Sequence, residues 1–188
     1  GMTKGHEWAG GKGKTPDGHP FFPNIPTEEV FTSPDRNRVE GVVHSALPLV
    51  HNGSVIRDFW LRFENGEVVD YGAERGLDVL RNILETDEGA RHLGECALIS
   101  KNTPIRQSGL LFYNTLYDEN ASCHLALGKG YADTIEGFEN MTAEELKEMG
   151  LNDSMIHVDF MIGSDDMSIT GYTNGVPFKI FENGTWAF

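Results

Sequence analysis

His157 and Asp159 have the residue types and the spacing of a metal site. Strand alternation in residues 156–162 places both on one face, opposite apolar residues of the same segment. Their α-carbons would lie about 6.5 to 7 Å apart, so that an imidazole nitrogen and a carboxylate oxygen could approach one cation. A polar face in contact with solvent explains the same pattern equally well.

His124 occupies a comparable position in a second segment. Residues 121–127 alternate between apolar and more polar positions, which predicts a strand. Asp118 and Glu119 precede His124 and Tyr131 follows it, so two acids, an imidazole and a phenol could meet around one point. Taken alone, His124 is more often a core histidine with satisfied hydrogen bonds.

Three further glutamates stand next to apolar residues. Glu95 interrupts the apolar run of residues 93–99, where an unpaired carboxylate is costly to bury, so it needs either a cation or the end of a strand. Glu28 and Glu29 follow a proline-containing turn and precede an apolar patch. This acidic pair could equally mark the start of a helix.

Several familiar catalytic motifs are absent from the sequence. It contains no His-Glu-x-x-His helix, no Gly-x-Ser-x-Gly elbow and no dinucleotide-binding glycine fingerprint. Residues 13–15 imitate the end of a phosphate-binding loop, but Trp8 occupies the required first glycine position. These absences weigh against a zincin, a serine hydrolase and a Rossmann enzyme.

The elements that must position these residues are mostly strands. Residues 38–47, 55–64 and 67–71 predict a first β block, with a hairpin turn at Asn65-Gly66. Residues 95–100 predict a short strand, and residues 155–162, 168–172, 177–181 and 185–188 predict a C-terminal meander. We therefore expect hairpin-linked sheets.

Two helices accompany the predicted strands. Apolar residues recur at helical spacing over residues 74–85. Thr142 and Glu145 form a capping box that opens a short helix, which Gly150 ends. The sequence thus predicts an α+β fold with mixed, largely antiparallel sheets, hairpins and a few short helices.

The chain divides into a lead-in segment and one domain. Residues 1–23 are rich in glycine and proline and are expected to be irregular, with Gly1 as a remnant of tag removal. Residues 24–188 are expected to form a single metal-binding domain, because 39% apolar residues suffice for one core.

The charge balance limits the partners of the protein. The sequence has 15 Lys and Arg against 29 Asp and Glu, a net charge of −14, which disfavours nucleic acid and anionic membranes. It has no apolar run of membrane-spanning length and no secretory leader, so we expect a cytoplasmic location. Cys96 and Cys123 are expected to be reduced.

Four ordered motifs resemble one known family. Residues 24–32, 93–95, 115–124 and 157–164 together resemble the bacterial thermophilic aminopeptidase family, which includes aminopeptidases T, S and PepS. The resemblance extends from about His6 onward, but only to the C-terminal, catalytic half of the longer family members. An N-terminal domain of the family is therefore expected to be missing here.

The resemblance implies a dinuclear metal-dependent aminopeptidase that releases the N-terminal residue from short peptides and forms a homodimer. It implies two divalent ions, zinc or cobalt first and manganese or magnesium next. The implied ligands are Glu29, Glu95, His124, His157 and Asp159, with Glu95 bridging. Tyr131 matches the active-site tyrosine, and Glu119 matches an acid that is either a ligand or a neighbour of the ligands.

Two questions stay open at this point. The general base is unassigned, because Glu28, Glu119 and Tyr131 all have suitable chemistry. The chain could also be a noncatalytic module that keeps the peptidase fold for metal binding or for docking a partner. A third hypothesis, a carbohydrate or small-ligand surface around Trp60 and Trp186, has less support because such residues usually pack in a core.

Overall fold

A computed structural model describes residues 1–15, 17–22 and 27–188. It contains fourteen strands and four α-helices in this part of the chain. The strands are β1 (Ala9–Gly10), β2 (Gly13–Lys14), β3 (Pro20–Phe21), β4 (Val30–Thr32), β5 (Gly41–His44), β6 (Leu49–His51), β7 (Ser54–Glu64), β8 (Glu67–Arg75), β9 (Leu93–Leu98), β10 (His124–Gly128), β11 (His157–Met161), β12 (Ile169–Thr173), β13 (Val176–Glu182) and β14 (Thr185–Trp186). The helices are α1 (Leu77–Leu84), α2 (Pro104–Ser108), α3 (Thr115–Asp118) and α4 (Ala143–Glu148).

The central sheet has five strands in the order β1-β4-β9-β10-β11. Every neighbouring pair in it is antiparallel. The strands come from distant parts of the chain, so the sheet gathers the N-terminal segment, the middle and residues 157–161 into one layer. This sheet carries most of the candidate site.

A second sheet is built around the long hairpin of β7 and β8. Asn65 and Gly66 both have positive φ, 51° and 86°, and form the predicted turn between these strands. The inward side chains of β7, including Phe59 and Leu61, pack in one core cluster with Leu80 of α1 and Phe160 of β11. The two sheets therefore share a core.

The C-terminal strands divide between two sheets. β12, β13 and β14 form a three-stranded antiparallel sheet with turns at Asn174-Gly175 and Asn183-Gly184. β11 does not join them, because it pairs with β10 of the central sheet. The prediction of one continuous meander over residues 155–188 is therefore wrong for its first strand, since pairing with a distant strand leaves no local sequence signal.

Both predicted helices form, the first with a shifted start, whereas α2 and α3 were not predicted. The helix predicted over residues 74–85 begins later, at Leu77. The reason is that β8 continues to Arg75 and that Gly76, with a φ of 80°, separates the strand from α1. The capping box of Thr142 and Glu145 opens α4 as expected. β10 begins only at His124, because the three residues from Glu119 to Ala121 form a 3-10 turn.

The predicted α+β class is confirmed by these antiparallel sheets and short helices. Three short strands lie within residues 1–22, and β1 pairs with β4 of the central sheet. The predicted domain boundary at residues 23 and 24 lies outside the described residues, as do residues 24–26 of the first motif. None of the helices in the described ranges is long and apolar enough to span a membrane.

Cysteines and tryptophans have structural roles. Cys96 and Cys123 are free thiols, as expected. Trp186 packs against the buried Phe181 with ring centroids 4.5 Å apart, and a side chain at Gly72 would collide with the indole of Trp60. Both tryptophans therefore pack against the protein itself, as the core-packing alternative predicted.

Candidate metal centre

One face of the central sheet brings two acids together across a small residue. Ala126 of β10 is paired with Glu95 on β9 and with Asp159 on β11. Ala126 is fully buried and its methyl group occupies little space. The two carboxylates therefore flank an opening on the sheet face that a larger residue would fill.

The two histidines lie on the same face. His124 is two residues before Ala126, and His157 is two residues before Asp159, so alternation directs both towards the opening. His124 Nε2 lies 3.2 Å from Glu29 Oε2 and 3.6 Å from Glu95 Oε1. His157 Nε2 lies 3.1 Å from Glu95 Oε2 and 3.1 Å from Asp159 Oδ1.

These contacts define two ligand groups that share Glu95. One consists of Glu29, Glu95 and His124, and the other of Glu95, His157 and Asp159. Within each group the ligand atoms lie within 4.8 Å of one another. All five residues that the family resemblance implied as ligands are thus in one cluster, with Glu95 at its centre.

Backbone carbonyls orient both imidazole rings. His157 Nδ1 donates a hydrogen bond to the carbonyl of Lys129 at 2.7 Å. His124 Nδ1 lies 3.2 Å from the carbonyls of both Glu119 and Ser122. Because a carbonyl can only accept, Nδ1 carries the proton in the neutral ring, and Nε2 offers a lone pair to the cluster. This is the tautomer of a metal-bound histidine.

The buried charges perturb one another strongly. Burial lowers the pKa of His157, but the Asp159 and Glu95 carboxylates outweigh it and raise that pKa to about 10. Burial raises the pKa of Glu95, but hydrogen bonds from His124 and His157 outweigh it and hold that pKa at about 2. The cluster therefore attracts positive charge.

The donor set fits divalent cations. Glu29 Oε2 and Asp159 Oδ1 are buried and have no hydrogen-bond partner among the described residues, although a histidine Nε2 lies close to each. When both imidazoles are neutral, the lone pair on each Nε2 faces a carboxylate oxygen, so that two hydrogen-bond acceptors face each other. A dication on each side of Glu95 would satisfy these atoms, and imidazole with carboxylate is a common ligand set for zinc and related ions.

Tyr131 and Glu119 border the cluster. The ring of Tyr131 lies 4.8 Å from that of His157, and burial, followed by the Glu95 charge, raises the pKa of its hydroxyl. Burial, followed by the Asp159 charge, raises the pKa of Glu119 to about 8. Both groups therefore hold their protons more tightly than the same groups do in water.

Two acids considered from sequence stay outside the cluster. The Asp118 carboxylate accepts hydrogen bonds from the backbone of Phe112 and Asn114, so it holds a loop and does not face His124. Glu28 is exposed and does not line the cleft above the cluster. The prediction that Asp118 joins the cluster is wrong, and Glu28 loses support as a general base.

The cluster lies at the base of a cleft of about 750 Å³. Side chains that sequence reasoning missed form its walls: Trp8, Lys12, Phe31, Leu116 and Asp133. The glycines at positions 10, 11 and 13 could have indicated that the N-terminal segment contributes to the cleft, because a run of small residues lets the chain approach another segment closely.

An α+β fold with two carboxylate and imidazole groups in an open cleft is typical of the class of metal-dependent hydrolases. Comparison with known proteins agrees. Residues 1–186 match the family model described as thermophilic metalloprotease (M29). The chain therefore belongs to the thermophilic metalloprotease (M29) family, and the resemblance of its four motifs is confirmed.

Relatives share the whole of this chain but are longer. Aminopeptidase AmpS of Bacillus subtilis (strain 168) is 54% identical over 188 residues, which are 100% of this chain and 46% of that protein. Aminopeptidase 2 of Geobacillus stearothermophilus is 52% identical over the same share of each chain. The structure of wild-type AmpT from Thermus thermophilus has a TM-score of 0.94 and 45% identity, and covers 100% of this chain and 46% of that one. The chain thus spans about half the length of the relatives it matches.

Proposed function

We propose that this chain is the catalytic domain of a dinuclear metal-dependent aminopeptidase that releases the N-terminal residue from short peptides. The observation that carries the proposal is the position of Glu95, whose two oxygens face two separate histidines. A carboxylate shared in this way can bridge two ions about 3.5 to 4 Å apart. The names of the relatives, which are aminopeptidases, support the reaction.

The proposed ligands are Glu29, Glu95, His124, His157 and Asp159. Zinc or cobalt suits this set of imidazoles and carboxylates, and manganese or magnesium are further candidates. When bound, such ions polarise a scissile carbonyl and lower the pKa of a water. Acids of the cleft would hold the free α-amine of the peptide, which explains a preference for N-terminal residues.

Tyr131 and Glu119 are the proposed catalytic groups. Tyr131 keeps its proton and can donate a hydrogen bond to an oxygen that gains negative charge during hydrolysis. Glu119 lines the cleft beside the proposed ligands, where a carboxylate can act as a general acid or base, whereas Glu28 does not line it. We therefore assign the proton transfer to Glu119 rather than to Glu28.

The remaining features of the proposal concern its surroundings. We propose a cytoplasmic protein that acts as a homodimer, and an additional N-terminal domain that accounts for the greater length of the relatives. Residues 24–188 would be the catalytic domain. The alternative is a noncatalytic metal-binding or docking module with the same fold. A protein that binds metal but hydrolyses no peptide, even after the N-terminal half of a relative is added, would favour this alternative.

Hydrolysis of leucine p-nitroanilide tests the proposal. We expect activity that a chelator abolishes and that zinc or cobalt restores. His157→Ala should lose both the activity and one bound ion, whereas the control His51→Ala, in β6 and outside the cleft, should keep both. Activity that survives chelation, or an unchanged metal content in His157→Ala, would contradict the proposal.

A further inference from the structure

The cleft above the cluster has an uneven charge distribution. Its acidic wall residues outnumber its lysines and arginines, of which Lys12 is the one among the described residues. The acids are Glu29, Glu95, Glu119, Asp133 and Asp159. This acidic lining repels the free C-terminal carboxylate of a bound peptide. A cation close to that carboxylate would offset the repulsion.

Lys12 is available for such a role. Its side chain is exposed to the cleft and forms no ion pair or hydrogen bond with the described residues. Its backbone is held, because its N–H donates to the Gly10 carbonyl at 2.6 Å. The ammonium group is therefore anchored at its base and free at its tip.

Lys12 and all five proposed ligands line the same cleft. The segment that carries Lys12 lies beside the strand that follows Glu29, because Gly10 pairs with Val30 of β4. A side chain at Gly11 would collide with Thr27, so the two segments stay in contact beyond this pair. The lysine side chain spans about 6 Å, which lets its ammonium group extend into the cleft.

The cleft also offers apolar contacts to a bound peptide. Trp8 and Leu116, each 41% exposed, line it together with Lys12. A short peptide held by its N-terminus at the cluster would place its side chains against these residues and its C-terminal carboxylate within the same cleft.

We propose that the Lys12 ammonium binds the C-terminal carboxylate of a short peptide substrate and thereby favours peptides with a free C-terminus over C-terminal amides. The inference rests on the proposed function, because it assumes that the N-terminus of the peptide is held at the metal cluster. Lys12 is then a specificity-determining residue. The ion pair is partly open to solvent, so its effect should decrease with ionic strength.

Binding of an uncleavable dipeptide analogue tests this role without requiring turnover. The probe is the ketomethylene isostere of leucyl-glycine, in which a CH2 group replaces the peptide nitrogen, and its partner is the same molecule with a C-terminal amide. Calorimetry measures both on the zinc-loaded protein. We expect the acid to bind about 5-fold more tightly than the amide, as for a partly exposed ion pair.

Substitutions of Lys12 test whether its charge, and not a change in the fold, causes the preference for the acid. Lys12→Met should bind the acid and the amide equally while its amide affinity stays at the wild-type value, and Lys12→Arg should keep most of the preference. Lys14→Met is the matched control, because Lys14 is an exposed lysine of β2 that does not line the cleft. It should retain the wild-type preference.

The outcomes distinguish this inference from the proposed function. Equal binding of acid and amide by the wild-type protein, with chelator-sensitive hydrolysis of leucine p-nitroanilide intact, overturns the role of Lys12 alone. A preference that Lys12→Met leaves unchanged does the same. Absence of both binding and hydrolysis overturns the proposed function and the role of Lys12 with it.

Discussion

Substitution of Glu95 should remove both metal ions, whereas substitution of its neighbours should remove one. Glu95 belongs to both ligand groups, because Oε1 faces His124 and Oε2 faces His157. Glu29 belongs only to the first group and Asp159 only to the second. Glu95→Gln keeps the size of the side chain but removes its charge from both sites at once.

The size of the effect follows from this arrangement. Loss of a hydrogen-bonded neighbour of a metal ligand costs about 10- to 100-fold in affinity, so loss of a ligand charge should cost at least about 100-fold. In Glu95→Gln this loss applies to both ions, and the metal content should fall from two per chain to below one. Glu29→Gln and Asp159→Asn should each retain one ion.

Elemental analysis after dialysis against metal-free buffer measures these contents. Glu28→Gln is the control, because Glu28 is the adjacent acid but is exposed and does not line the cleft. A thermal shift on addition of zinc provides a second measurement, since a ligand at 100 times its Kd stabilises the fold by about 2.7 kcal/mol. Glu95→Gln should show little of this shift.

Two results would refute the reasoning. Retention of two ions by Glu95→Gln would mean that Glu95 is not shared by the two groups. Loss of both ions in Glu29→Gln and in Asp159→Asn would mean that the five residues form one site. Either result would remove the geometric basis for a dinuclear centre.

Three further predictions test the scaffold. Ala126→Val should weaken metal binding while the circular dichroism spectrum stays unchanged, because its methyl groups fill the opening between the facing carboxylates; full metal binding would contradict this. Hydrogen bonds, first from the backbone of Met155 and also from Ser154, lower the pKa of Asp87 below 3.8, so its stabilisation is present above that pH and is lost as the pH falls through the folded pKa. In urea unfolding, the Asp87→Asn variant should have a lower free energy of unfolding than the wild-type protein at pH 7, and this difference should become smaller below about pH 3.8. A difference that does not change with pH would show that the charge of Asp87 is not its cause. Thr142→Ala removes a helix cap and should cost about 1 kcal/mol in the same assay, and an unchanged midpoint would mean that α4 does not need it.

Local chemistry determined much of the fold. The turn at Asn65-Gly66, the capping box of Thr142 and the alternation of residues 156–162 each depend on neighbours a few residues apart. Such patterns are visible in the sequence because backbone conformation and side-chain direction are set locally. They predicted the hairpin of β7 and β8, the helices α1 and α4 and the shared face of His157 and Asp159, but not the short helices α2 and α3.

Strand partners were decided by the tertiary structure. The wrong placement of β11 in a C-terminal meander, and the actual pairing of β11 with β10, illustrate this. The choice depends on which apolar faces bury one another across about thirty residues of chain, and alternation within one strand carries no such information.

The candidate site shows the same division between sequence and tertiary structure. Residue types and the family resemblance pointed to the five ligands, yet the sharing of Glu95 between two histidines depends on the register of β9, β10 and β11. The same holds for the exclusion of Asp118, whose carboxylate caps a loop, and for the arrival of Lys12 and Trp8 at the cleft. The sequence thus determined which groups can bind a cation, and only the packing of distant strands decided which of them meet, because contact between residues far apart in the chain is a property of the whole fold.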